Sequence, residues 1–272
     1  LALRQRRLAR QVIGIGRHPE RLAKAFELGA VDEWTLDPLQ GVSAADLVAI
    51  CTPVGSIAET FQKIVSHLKP GCIVSDMGST KSKVVATCEE IAPESIAFVG
   101  GHPMAGSEAA GVEAARPDLY EGAVYVLTGT PRTDPEALAR LEALTRALGA
   151  TPLRLAPEDH DRIVAVVSHL PHLLAWALVR MAGESSQEDP SLFKLAAGSF
   201  RDMTRVAASS PEMWRDIFLT NREHLLTATS RFRKALDDLE AAVAGGDTDV
   251  LERILAEGQA VRQSLYVDRR TQ

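Results

Sequence analysis

DLVAICTPVGSIAETFQKIVSHLKPGCIVSDMGSTKSK, residues 46–83, decides the architecture. Two short apolar runs rich in β-branched residues, DLVAICT (46–52) and CIVSDMG (72–78), flank SIAETFQKIVSHLKPG (56–71), whose apolar positions recur at helical spacing. A strand, a helix and a second strand in this order form a crossover unit of a parallel sheet. The same alternation continues on both sides. QVIGIG (11–16), IAFVGG (96–101), AVYVLTG (123–129) and TPLRLA (151–156) read as further strands. PERLAKAFELG (19–29), STKSKVVATCEEI (79–91) and DPEALARLEALTRALG (134–149) read as helices between most of them. The expected product is a parallel sheet covered on both faces.

After about residue 156 the strand signal stops. PEDHDRIVAVVSHLPHLLAWALVRMAGES (157–185) reads as one long apolar helix with a kink at Pro171. Helical patterns follow over 191–209, 211–246 and 248–267. Several faces of these helices are apolar, which predicts that the surplus is buried against a second copy of the chain. The fold expected is therefore an α/β Rossmann-like domain, residues 1–155, followed by an all-α dimerisation domain, residues 156–272.

The opening residues qualify that expectation. LALRQRRLARQ (1–11) reads as the end of a helix running into VIGIG. A doubly wound nucleotide-binding sheet places its first strand and glycine-rich phosphate turn before that helix. GIGRHPE (14–20) offers G-x-G without the third glycine, at the end of what reads as a second strand. The first strand and glycine-rich loop thus read as missing, the sequence as N-terminally incomplete, and dinucleotide binding by these residues alone is expected to be poor.

Composition narrows the classes. Hydrophobic residues make up 46% of the 272 and charged ones 24%, with a net charge of -6 and no basic block that would suit nucleic acid or a membrane surface. No unbroken apolar run reaches the roughly 18 residues of a membrane span. Cys51, Cys72 and Cys88 sit in apolar segments and read as reduced core residues. A cytoplasmic protein is expected, with neither a nucleic-acid nor a membrane partner.

Ligands of such sheets gather outside the carboxyl ends of the strands. Those ends offer Thr52 and Pro53, suited to a wall beside a flat ring, and Asp76, Ser79 and Lys81 at a strand-to-helix turn. Ser79 is there either a helix N-cap or a hydroxyl aimed into the cleft. His102 follows the next strand, after Gly100 and Gly101 and before Pro103. A Ser and a His on adjacent strand ends suit a proton-handling pair. In the helical half, Ser168, His169 and His172 place polar groups in an apolar helix. Arg201 and Arg205 fall one turn apart, on a solvated face or as holders of a carboxylate. An H-x-x-H pair without a third ligand at metal spacing gives no reason to expect a metal.

DMGSTKSK, GGHPMAGSEAAGVEAA, DHDRIVAVVSHLPH and GSFRDMTRVAASSPEMWRDIFLTNRE together resemble, in order, the prephenate/arogenate dehydrogenase family of tyrosine biosynthesis. The resemblance spans about residues 11–235 and implies a Rossmann-like domain with a helical dimerisation domain. It implies oxidation of prephenate or L-arogenate by NAD(P)+ with release of CO2, giving 4-hydroxyphenylpyruvate or tyrosine. Residue by residue, His102 resembles the catalytic base at the ring hydroxyl and Ser79 the serine sharing that hydroxyl. Arg205 resembles the arginine holding the ring carboxylate. His172, with Ser168 and His169, matches the part of the pocket facing the substrate side chain. Gly198 and Trp214 match further lining, the tryptophan being expected from the other subunit, and Glu108 matches a buried carboxylate in a polar network. Two other readings stand beside this one: a Rossmann dehydrogenase of the β-hydroxyacid or imine reductase type, and a dinucleotide-binding protein without activity.

Cofactor choice rests on one strand end. NAD-preferring sites usually end the second strand with an acid that binds the ribose hydroxyls. Here Gly16 stands in that place, followed by Arg17, a planar cation suited to a 2′-phosphate. NADP is therefore expected, with NAD the close alternative.

Overall fold

A computed structural model describes residues 1–106 and 111–267. By their contacts the residues fall into two compact units, Leu1–Arg222 and Glu223–Gln272. The first begins with a short helix, α1 (Ala2–Gln5), then β1 (Ile13–Ile15), α2 (Pro19–Glu27), β2 (Glu33–Thr35) and α3 (Pro38–Val42). There follow β3 (Leu47–Ile50), α4 (Ile57–Ile64), β4 (Ile73–Asp76), α5 (Ser82–Ile91), β5 (Ala97–Pro103), β6 (Val124–Thr128), α6 (Pro135–Ala147) and β7 (Thr151–Leu155). The helices α7 (Pro157–Val164), α8 (Leu170–Glu188), α9 (Gly198–Thr204) and α10 (Pro211–Thr220) complete it. Beyond them, α11 (Arg222–Gly245) and α12 (Thr248–Val267) form a helical pair joined at Gly246, whose φ of 64° suits a residue without Cβ.

All six strands expected from the sequence are present, together with β2 and α3, which were not anticipated. Both are short, and EWT carries no alternation long enough to announce a strand. β1 and β2 pair in parallel as a two-stranded sheet, and the other five form a sheet in the order β3-β4-β5-β6-β7. That sheet is not wholly parallel as expected, because β6 runs antiparallel to β5. The reason lies in the connection. Between β5 and β6 the described residues carry only a 3₁₀ turn, Val112–Ala114, and no crossover helix that could return the chain to the same end.

β4 and β5 are buried on both faces. Val74 and Phe98 face a core with Ile57, Phe61, Val85, Cys88, Trp214 and Ile217, while Ile73 and Val99 face another with Tyr125, Leu127, Ala137 and Leu141. Cys72 and Cys88 are core residues as expected, whereas Cys51 is exposed, correcting its assignment to the interior.

Three helical expectations are corrected as well. The irregularity expected at Pro171 lies just before it: the helical run makes a π-helical turn at Ala165–His169 and continues through Pro171 into α8. The stretch 211–246 is two helices broken at Asn221. Finally, the helical run Pro157–Glu188 holds an 18-residue window of mean hydropathy 1.5, apolar enough by composition to span a bilayer. Counting only unbroken apolar runs hid this, because Ser168, His169 and His172 interrupt the run without offsetting its average.

Candidate active site

The carboxyl ends of β3, β4 and β5 lie side by side, since Ile50 pairs with Asp76 and Ser75 with Val99. Thr52 and Pro53 follow β3, Ser79 follows β4, and His102 stands near the end of β5. One rim therefore gathers these four residues, where α/β sheets take their ligands.

The two glycines before His102 have a packing reason. A Cβ on Gly100 would lie 2.4 Å from Thr128 Oγ1 and 2.6 Å from Val85 Cγ2. One on Gly101 would lie 2.7 Å from the carbonyl oxygen of Asp76. Only glycine lets β5 seat between its neighbours and under α5, and the strand then delivers His102 to the rim.

His102 does not stand alone. Its Nδ1 lies 2.8 Å from Nε2 of His160 on α7, the two rings meeting edge-on with centroids 5.0 Å apart. His160 is fully buried, and its Nδ1 lies 2.8 Å from Asp161 Oδ1. Asp161, also buried, accepts the backbone N–H of Lys81 at 2.7 Å on Oδ1 and that of Ser82 at 2.8 Å on Oδ2. A carboxylate from α7 thus caps α5. Ser79 is not the cap, because α5 starts at Ser82 with Lys81 in the N-cap position. Of the two roles open to Ser79 in the sequence, the capping one is taken.

Burial pushes the His102 imidazole well below the usual histidine value, and the neighbouring His160, Lys81 and His169 push it the same way against the pull of Asp161. It is an uncharged base at neutral pH. Behind it, the wholly buried Lys81 ammonium bonds to Asp76 and to the Gly101 carbonyl at 2.7 Å. Asp76 in turn accepts Gly78 N–H at 2.8 Å and Gly101 N–H at 3.2 Å. Burial draws Lys81 below the ordinary lysine value while Asp76 holds it up.

The π-helical turn and the start of α8 supply a second wall. His172 donates from Nδ1 to the Ser168 carbonyl at 2.9 Å, and its ring stacks on Trp214 with centroids 3.6 Å apart. Trp214 is 5% exposed and packs on His172, His169, Trp176 and Phe218 of its own chain. Asn221, at the break between α10 and α11, donates to the Asp161 carbonyl at 2.8 Å and lies 3.1 Å from His169 Nδ1. Burial lowers His169 to about 4. His172 is also lowered, first by burial and further by the charge of Arg205, against its bond to Ser168. Arg205 itself is exposed, at the start of the 3₁₀ turn Arg205–Ala208. Gly198 opens α9 with open space where a Cβ would stand.

Four buried polar atoms, Thr52 Oγ1, Ser75 Oγ, His169 Nε2 and Trp214 Nε1, have no hydrogen-bond partner among the described residues. Such atoms cost roughly 1–3 kcal/mol each if left dry. Ser75 lies within β4, but Thr52 stands on the rim assigned to a dinucleotide and His169 and Trp214 on the wall assigned to substrate, so the residues present fit both. Arg17 is exposed just past β1, and no strand pairing ties that two-stranded sheet to the rim. Glu108 lies outside the described residues. A cleft of about 670 Å³, with Glu89, Glu94, Arg132 and Arg140 in its lining, contains none of these groups.

Sequence reading named neither His160 nor Asp161 nor Asn221 as site residues. DHDR at the head of an apolar helix looks like the usual acidic first turn. On α7 His160 and Asp161 stand among Glu158, Asp159 and Arg162, so residue type alone does not set them apart.

Two family models cover the chain: "Prephenate dehydrogenase, nucleotide-binding domain" matches residues 1–153, and "Prephenate dehydrogenase, dimerization domain" matches residues 156–257. A prephenate dehydrogenase of Bacillus subtilis is 36% identical over 266 residues, covering 97% of this chain and 72% of the relative. The crystal structure of a prephenate dehydrogenase from Aquifex aeolicus with hydroxyphenyl propionate and NAD+ is 36% identical, with a TM-score of 0.92 over 97% of this chain and 92% of that one. An arogenate dehydrogenase from Synechocystis is 33% identical, with a TM-score of 0.80 over 96% and 93%.

Proposed function

Because the chain belongs to the prephenate dehydrogenase family, we propose that it carries out the oxidative decarboxylation of prephenate with NAD(P)+ in tyrosine biosynthesis. The observation that carries the reading is His102, a histidine kept neutral by burial at the carboxyl rim of the sheet, with one ring nitrogen engaged by His160.

The dinucleotide, when bound, supplies the hydride acceptor. Thr52 and Pro53 would hold it at the rim, where the Thr52 hydroxyl has no partner among the described residues. His102 takes the proton of the ring hydroxyl as the carbinol C–H bond gives up its hydride, and Ser79 shares that hydroxyl. The ring carbonyl so formed is vinylogous to the carbon bearing the carboxylate. Breaking the bond to CO2 sends its electron pair through the ring, which becomes aromatic, and 4-hydroxyphenylpyruvate results. Arg205 holds the ring carboxylate in place until it leaves. His172, Ser168, His169, Gly198 and Trp214 receive the substrate side chain. With L-arogenate the same atoms would give tyrosine.

Residues 1–155 serve the dinucleotide and residues 156–272 the substrate side chain and a homodimer contact. The exposed Val167, Leu195, Met203 and Leu219 favour burial against a second copy. A soluble substrate and cofactor favour a cytoplasmic location.

The test is NAD(P)H formation at 340 nm by the purified protein, with prephenate and L-arogenate offered separately and the product identified by mass. Turnover of prephenate to 4-hydroxyphenylpyruvate is expected. Turnover of a β-hydroxyacid or an imine instead, or none with either cyclohexadiene, would defeat the reading.

A further inference from the structure

The chain of hydrogen bonds behind His102 fixes where its protons are. Asp161 takes three donors: the Lys81 and Ser82 backbone N–H groups and His160 Nδ1. Backbone amides can only donate, and against the cost of burial these bonds, with that of His160, hold Asp161 below its usual value, so the group is a carboxylate. His160 Nδ1 therefore carries the proton it gives to Asp161. The other nitrogen of that neutral ring, Nε2, is left with a lone pair, and it lies 2.8 Å from His102 Nδ1. His102 must donate there. Its own Nε2 is then the unprotonated nitrogen.

From this geometry we infer that His160, anchored by Asp161, is the positioning residue of the catalytic base: it holds His102 as the Nδ1–H tautomer and turns the Nε2 lone pair to the substrate hydroxyl. The inference rests on the assignment of His102 as base. Both partners are suited to it by rigidity. His160 is 0% exposed and Asp161 1%, and Asn221 clamps the Asp161 carbonyl from the break after α10. His160 thus has no alternative partner in solvent and no room to swing. The proton taken from substrate arrives on His102 Nε2, and the imidazolium keeps its Nδ1–H bond to His160 without any rearrangement. The other ionisable groups around His102 are Lys81 and Asp76 behind β5 and His169 on the π-helical turn. The alternative tautomer would leave two lone pairs facing each other across 2.8 Å, or require Asp161 to be protonated against two backbone donors.

Two substitutions separate positioning from bulk packing. In His160→Gln the side-chain carbonyl can still accept the His102 proton, whereas His160→Leu offers nothing. We expect kcat of His160→Leu to fall by on the order of 10–10²-fold, the scale of a misplaced catalytic group. KM for prephenate and for the dinucleotide should hold, and His160→Gln should recover most of the loss. Equal losses in both variants, or an unchanged kcat in His160→Leu, would overturn the inference. Imidazole ¹⁵N NMR of the wild-type enzyme, with the His102 signals assigned by His102→Asn, reads the tautomer without relying on either variant folding. A protonated Nδ1 and a bare Nε2 support the inference, and the reverse refutes it. Wild-type turnover of prephenate is measured alongside. Its absence would count against the reaction, while the tautomer measurement still decides the role of His160.

Discussion

Two buried ionic systems lie within a few residues of each other and behave in opposite ways. Lys81 and Asp76 are each 0% exposed, and their bonds close on one another and on the backbone of Gly78 and Gly101. The Asp161–His160–His102 line begins in the same buried condition, capping α5, but ends at the half-buried His102, one of whose nitrogens has no part in it. A buried charge whose partners close the circle chiefly holds elements together, although the Lys81 charge also lowers His102 from behind. One whose chain of partners ends at a cleft can pass its influence to a reacting group. The first is scaffold and the second is chemistry, although both are built on the same strand-to-helix turn.

The open end of the line, at His102, carries the largest expected effect. His102→Asn is expected to lower kcat by on the order of 10²–10⁴, the usual share of a general base, with substrate binding retained. In the wild-type enzyme the acid limb of kcat/KM should lie well below pH 6.5, because the depressed His102 loses its base form only as the pH falls through that lowered value. An asparagine variant with parental turnover would reduce His102 to a packing residue. At the closed end, Lys81→Met should instead destabilise the fold by about 3–5 kcal/mol in urea unfolding, since it leaves the Asp76 carboxylate buried without its cation. A Lys81→Met protein as stable as its parent would show that the pair is no clamp.

Smaller effects sharpen the contrast between the rim and the helical wall. Arg205→Ala should weaken prephenate binding by about 1.5–3 kcal/mol through loss of a charge-assisted contact, leaving dinucleotide affinity as it was. The opposite split, with cofactor affinity lost and prephenate KM intact, would move Arg205 out of the substrate site. The smallest effect is expected at Arg17, exposed beyond β1. Here we expect NADP+ to be preferred, and Arg17→Ala to shift the kcat/KM ratio of the two cofactors toward NAD+ by about tenfold or less, up to roughly 1.4 kcal/mol. A tenfold preference for NAD+ in the parent, or a ratio indifferent to Arg17, would end the case made from this strand end.

Amino-acid order alone determined the strands 46–52 and 72–78 with the helix between them, and the change to an all-helical half after residue 156. These features are local: β-branched runs and 3.6-residue periodicity express themselves within a dozen residues. His102 was also legible, because two glycines and a proline around one histidine make a local anomaly. Tertiary structure alone decided the direction of β6, the π-helical turn ahead of Pro171, and the capping of α5 from α7. It also decided that residues 58 positions apart in sequence share a hydrogen bond, so that His160 stands behind His102. No local pattern encodes such a pairing. Imidazole and carboxylate side chains are equally at home on a solvated helix turn, and only the closing of α7 over the end of the sheet removes them from water and leaves each other as their partners.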